Sequence, residues 1–226
     1  MNERTDTVYE AIKARAISFA FSPGQRILQG PLAEELGARR HQVREALLRL
    51  VSEGWVVQAS NKGFRAITLN ATTLAEYHNV NRFLLESALH AAESGQPIRK
   101  SVLDRIDKIL GKLSPFEGDD ESLATLIGQL FSAIAALGGN RVVMQLVQNC
   151  NEHLYYIRTR ECQYLDGVAA ELAGLCELAA GRHFSELQLS INEYHTRRNR
   201  LTSTQIRILS ATRGATEHEQ LASRYH

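Results

Sequence analysis

Residues 32–66 read LAEELGARRHQVREALLRLVSEGWVVQASNKGFRA, and the order of structural signals within them decides the architecture. Leu32 and Leu36 lie one helical turn apart, and Gly37 follows as a C-terminal helix stop. Helix resumes near Arg40, with Val43, Leu47, Leu50 and Val51 on one face, and ends at Gly54. Two short β-prone runs, WVVQA and FRAITL, then flank the turn Ser60-Asn61-Lys62-Gly63, the pattern of a hairpin. Upstream, Val8, Ile12, Ala16 and Phe19 recur at helical spacing and predict an amphipathic helix over 6–20. Ser22-Pro23-Gly24 forces a turn, Ile27-Leu28 is a short extended piece, and Gly30-Pro31 puts proline where a helix can start. Helix, helix, turn, helix, hairpin is the order of a winged helix-turn-helix, which occupies residues 1–69.

After Asn70 the strand signals disappear. TTLAEYHNVNRFLLESALHAAES carries Leu74, Tyr77, Leu84, Leu85, Ala88 and Ala91 at helical spacing, with Gly95 and Pro97 behind it. Further helices are predicted at 98–113, 120–137, 140–160, 165–180 and 183–210, separated by Pro115 and Gly118, by Gly138-Gly139 and by Gly181. The fold class is therefore mainly α: an N-terminal winged helix-turn-helix, an all-α helical bundle over 70–212, and a polar tail over 213–226 expected to be flexible.

Composition narrows the function. With 226 residues, 44% of them hydrophobic, the chain has enough apolar material for two cores. No stretch approaches the roughly 18 consecutive apolar residues of a membrane span, and the N-terminus has no apolar signal core, so a cytoplasmic protein without membrane contact is expected. Cys150, Cys162 and Cys176 match no zinc spacing and read as reduced thiols. There is no G-x-S-x-G, P-loop, HExxH or glycine-rich nucleotide turn, so no enzyme is indicated. The net charge of +1 divides unevenly: residues 1–69 hold 10 Lys and Arg against 7 Asp and Glu, and the remainder carries a net −2.

The basic residues concentrate where a helix-turn-helix meets DNA. The N-terminal part of its second helix faces base edges in the major groove, and here that segment supplies Arg39, Arg40, His41, Gln42 and Arg44. Arginine suits both bidentate pairing with guanine and phosphate clamping. Arg40 and Arg44 are four apart and share a face, while Arg49 lies further round, towards the DNA backbone. At the wing tip Lys62 supplies a cation and Gly63 permits close approach. The competing reading of these charges is a solvated helix face, or a winged helix that serves as a protein-interaction adaptor without operator binding.

The same run, together with Pro23-Gly24 and Leu28, resembles the DNA-binding domain of GntR-type regulators. Leu32, Ala33, Leu36, Gly37, Arg40, Val43, Arg44, Glu45, Ala46, Leu47, Leu50, Glu53, Gly54 and Gly63 fall in register with that family's pattern over about residues 8–68. The resemblance implies a transcription regulator bound to a double-stranded DNA operator, with Arg40 and Arg44 making the main contacts; a repressor is expected, and a homodimer, because one winged helix covers only a few base pairs. Arg39 stands where the family has a capping serine and Gln42 where it has proline. Loss of the cap implies a cost on the order of 1 kcal/mol and an altered operator preference.

The helical half resembles the FCD effector domain of the FadR-like subfamily, McbR-like members included, through Arg82-Phe-Leu-Leu-Glu86, Phe131 with Gly139-Asn140, and Leu178-Ala-Ala-Gly181. That resemblance implies a small-molecule effector, an organic anion among the candidates. Arg82, Gln129, His153, Arg158, Glu171 and His195 are the candidate effector-binding residues, with Arg82 in family register; Arg82 equally suits an internal ion pair with Glu86. Many FCD domains hold a metal through an aspartate and histidines. In this chain the first such pair falls on Gly128 and Ser132, the next ligand near Glu171, and only His195 persists. No metal and no other cofactor is expected.

Overall fold

The computed structural model describes residues 3–18, 20–59, 63–68, 70–95 and 97–207. Lys62 and the tail from 213 lie outside the described residues. The chain divides into two compact units, Met1–Leu69 and Asn70–His226.

In the first unit, α1 (Glu3–Ile17) buries Val8, Tyr9, Ile12 and Ala16, a stripe at helical spacing, against α3 (Arg40–Ser52). It stops three residues before the predicted end at 20, and Phe19 is not described. α2 (Gln29–Glu35) begins at Gln29, so Pro31 sits inside the first turn, where its missing N–H leaves no helical bond unmade. α3 buries Val43, Ala46, Leu47 and Leu50 completely and ends at Gly54, whose φ of +82° allows the Trp55 N–H to reach Leu50 O at 2.9 Å. Strands β1 (Arg26–Ile27), β2 (Val56–Gln58) and β3 (Phe64–Ala66) form an antiparallel sheet in the order β1-β3-β2. The short extended piece before α2 thus pairs with the wing, setting Ile27 opposite Phe64 and Arg26 opposite Arg65. Ile27, Val56, Phe64 and Ala66 join Trp55 in the core, while Arg26, Val57 and Arg65 face solvent, as strand alternation requires.

The second unit is helical throughout among the described residues. It comprises α4 (Ala71–Glu93), α5 (Lys100–Leu113), α6 (Asp120–Leu137), α7 (Arg141–Arg158), a single 3₁₀ turn (Glu161–Gln163), α8 (Val168–Ala180) and α9 (Phe184–Arg200). Side-chain caps fix three starts: Asn70, Asp119 and Asn140 accept from the backbone N–H groups of Thr73, Ser122 and Val142 at 2.9 Å. α6 is the axis of the bundle. Its LATLIGQLFSAIAAL run is apolar nearly all round and packs against α4, α5, α7 and α8. At its end Gly138 abuts the backbone of Ala88, where a methyl group would come within 2.6 Å of the carbonyl oxygen, so glycine sets the closeness of α4 and α6. The helix predicted over 183–210 breaks at Leu201 and resumes over 202–207. Cys150 and Cys176 are buried, Cys162 is exposed, and all three are free thiols. Among the described residues no helix is long and apolar enough to cross a membrane.

Candidate nucleic-acid interface and effector site

The apolar side of α3 is locked in the first core, so its polar side is the one left to a partner. Arg39, Arg40, His41, Arg44 and Glu45 are exposed at the N-terminal half of the helix, where unsatisfied N–H groups and the helix dipole add positive potential. Arg40 rests over Gly30 of α2, where a methyl group would come within 2.6 Å of its Nη2.

Two of the expected contact residues have other work. Gln42 is only 6% exposed, and its Oε1 accepts from the Arg39 N–H at 3.0 Å. This is the returning half of a capping box, and it partly replaces the cap lost with the family's serine. Gln42 is therefore engaged in capping the helix through its Oε1. Arg49 is half-exposed but occupied: its guanidinium lies 3.6 Å from the centre of the Tyr9 ring, 3.4 Å from Asp6 and 3.5 Å from Glu53. Glu53 also takes the Tyr9 hydroxyl at 2.6 Å and Lys13 at 3.0 Å. Burial, together with the Glu53 carboxylate, pushes the Tyr9 phenol above its usual pKa. This cluster, Arg49 included, ties the C-terminal end of α3 to α1.

The sheet supplies two cations the sequence reading passed over. Arg26 and Arg65 are directly opposed, exposed, cross-strand partners, an arrangement that costs the sheet stability through like-charge repulsion. Arg65 is steadied by its bond to Gly24 O at 2.9 Å, and Gly63 sits beside them, with room at 3.9 Å from Arg26 Nε. The signal was present in Q-R-I and F-R-A, where each arginine alternates with a core residue.

In the helical unit the expected effector residues separate. Arg82 is paired with Glu86 at 2.9 Å, one turn on, and its guanidinium covers Phe83. Gln129 is exposed beside a shallow cavity shared with Tyr155. Glu171 is bound by Arg198 at 2.9 Å, and His153 stacks on Tyr77 with ring centres 4.3 Å apart. Arg158 and His195, by contrast, come together in one buried polar layer with His78 and Asn81 of α4 and Asn151 of α7, of which His78 and Asn151 were not expected from the sequence. Arg158 donates to Asn151 Oδ1 at 3.0 Å, and Asn151 Nδ2 in turn donates to Gly128 O at 3.0 Å. His78 and His195 meet through their Nδ1 atoms at 3.3 Å. Burial, and then the charges of Arg158 and Arg198, hold both imidazoles well below the usual value, so both are neutral.

This donor set does not suit the metal that FCD domains often carry. Gly128 and Ser132 face an asparagine N–H, and the histidine pair lies beside a guanidinium that would repel a cation. Among the described residues no group of three or more His, Cys, Asp or Glu is placed to hold a metal ion.

With this geometry in view, residues 4–65 match the profile of the gntR family of bacterial regulatory proteins. The chain is 30% identical over 143 residues to the Nta operon transcriptional regulator of Aminobacter aminovorans, spanning 63% of this chain and 68% of that protein. It belongs to the GntR family. As such it is a DNA-binding transcriptional regulator and not an enzyme. The HTH-type regulator YdhC of Bacillus subtilis is 23% identical over 155 residues, spanning 66% of this chain and 67% of that protein. Among solved structures, E. coli McbR/YncC superposes with a TM-score of 0.70 at 20% identity, covering 91% of this chain and all of that one. A GntR-type regulator from Rhodococcus sp. RHA1 gives 0.71 at 16% identity, covering 89% and 98%. These establish that the GntR-type winged helix-turn-helix with a helical C-terminal unit is the fold of this chain.

Proposed function

We propose that this GntR-family regulator is a homodimeric repressor that reads a two-fold symmetric operator in the cytoplasm and is controlled by a small molecule bound in its helical unit. The observation that carries the reading is the exposed basic N-terminal half of α3, with Arg39, Arg40, His41 and Arg44 outward and Val43, Ala46, Leu47 and Leu50 buried. Arg40 and Arg44 then contact base edges, and Arg39 and His41 contact phosphates. Arg26, Arg65 and Lys62 add sequence-independent affinity from the sheet and wing, and Gly63 lets the wing approach. A second copy is needed because one winged helix covers only a few base pairs. Val80 and Phe83 on α4 and Val142 and Leu146 on α7, exposed on two helices that pack together, support pairing through this side of the bundle.

Selection of bound duplexes from a random pool tests the operator reading. A pseudo-palindromic consensus with half-sites about one helical turn apart is the expected result. Retention of all sequences alike at physiological salt would overturn it and favour the adaptor reading.

A further inference from the structure

The outward face of α3 is not uniformly basic. At about 3.6 residues per turn, His41, Arg44, Glu45 and Leu48 fall on the side opposite Val43, Ala46, Leu47 and Leu50. Leu48 lies two turns beyond His41 and one turn beyond Arg44, at the centre of that face. It is 39% exposed, while its neighbours Leu47 and Leu50 are fully buried. Exposed leucines are common on protein surfaces. The place of this one is what carries information, because the same face presents the arginines to DNA.

Two residues of this face have no use against phosphate. Leu48 offers neither charge nor hydrogen bond. Glu45, three residues before it and exposed, carries a negative charge that a phosphate repels. Arg49, one turn beyond Glu45 and able to neutralise it, is held by Asp6 and Glu53. Ser52, one turn beyond Leu48, turns its hydroxyl back onto Arg49 O at 2.7 Å. A carboxylate and a leucine side by side therefore mark the strip of α3 that lies over base edges, the strip to which Arg44 also belongs. In the major groove a carboxylate accepts from the cytosine amino group, and an apolar side chain meets the C5 methyl of thymine. The methyl is the group that a leucine recognises, because contact removes apolar surface on both sides from water.

We propose that Leu48 reads the C5 methyl of a thymine in each operator half-site, and so sets a base preference that the arginines do not. A rise of about 1.5 Å per residue puts Leu48 about 6 Å along α3 from Arg44, close to two base-pair steps of about 3.4 Å each. The thymine is therefore expected within about two base pairs of the guanine that Arg44 contacts. This deepens the reading of α3 as the element that recognises sequence, and rests on it.

Removing single methyl groups from the DNA is the direct test. The operator selected from the random pool is made with each thymine replaced in turn by deoxyuridine, which lacks only the C5 methyl. Equilibrium binding of the full-length protein is then measured at one salt concentration. At one position per half-site the wild type is expected to bind about fourfold more weakly without the methyl, the effect of burying one such group. Leu48→Ala should bind the thymine operator more weakly than the wild type does, and should bind its thymine and deoxyuridine forms alike. Leu48→Met keeps the apolar reach and should keep the discrimination. A merely structural role would weaken Leu48→Ala equally on both duplexes and leave its thymine-to-deoxyuridine ratio at the wild-type value. That result would overturn the proposal, as would a wild type indifferent to every methyl, or a consensus without thymine in that window. Arg44→Ala on the same duplexes separates the proposal from the reading beneath it. Specificity lost in Arg44→Ala, with no methyl effect in the wild type, would remove Leu48 from the readers and leave α3 in place. Specificity intact in Arg44→Ala, again with no methyl effect, would overturn both.

Discussion

Gln42 shows how a departure from a family pattern is absorbed locally. With arginine at the N-cap of α3 no side chain there can accept from the helix, and Gln42 answers by accepting the Arg39 N–H at 3.0 Å. Gln42→Ala is therefore expected to lower unfolding stability by about 1 kcal/mol, read by urea denaturation, while leaving the preferred operator sequence unchanged. A changed consensus with unchanged stability would return Gln42 to the bases. The histidine pair makes a second prediction. In the unfolded chain each imidazole titrates near 6.5, whereas burial and the neighbouring arginines hold both well below that in the fold. Below about pH 6.5 the unfolded chain thus binds protons that the folded chain refuses, so this contribution is complete above that pH and is lost as pH falls. Stability should decline from pH 7 to pH 5, and His195→Gln should shrink the slope by about one proton per chain. An unchanged slope would contradict the neutral-pair assignment. His78 and Asn81 were readable as polar intrusions in the Leu74-His78-Asn81-Leu85 stripe of α4. Their partners Asn151 and Arg158 come from another helix, and spacing within one helix cannot report that.

The recognition helix and the wing were legible in the sequence because apolar periodicity and glycine stops act locally. Leu47 and Leu50 are fully buried, and Gly37 and Gly54 adopt the positive φ expected of helix stops. What local signals could not supply is the pairing of β1 with β3, which brings Arg26 beside Arg65, or the reach of α1 across to Arg49. Opposed like charges weaken a sheet by about 0.2–1 kcal/mol, a cost that makes sense where a polyanion completes the site. Arg26→Thr should raise thermal stability slightly and weaken binding to all DNA sequences alike, with the slope of log affinity against log salt reduced by about one unit. Loss of binding confined to one sequence would place Arg26 among the base readers instead.

In the whole chain, two units with separate cores are joined at Asn70, which caps α4 and so starts the bundle where the winged helix ends. The bundle carries exposed Val80, Phe83, Val142 and Leu146 on adjacent helices. Sedimentation equilibrium at micromolar concentration is expected to give a dimer, and Phe83→Glu to shift it to monomer while preserving the helical circular dichroism spectrum. A wild-type monomer, free and on DNA, would contradict the two-fold model. The most direct measurement is equilibrium binding of wild type and Arg44→Ala to the selected operator and to a scrambled duplex at one salt concentration. Arg44→Ala should lose about 1–3 kcal/mol on the operator and far less on the scrambled duplex, collapsing the specificity ratio. Equal losses on both duplexes, or none on either, would contradict the assignment of α3 as the element that reads sequence.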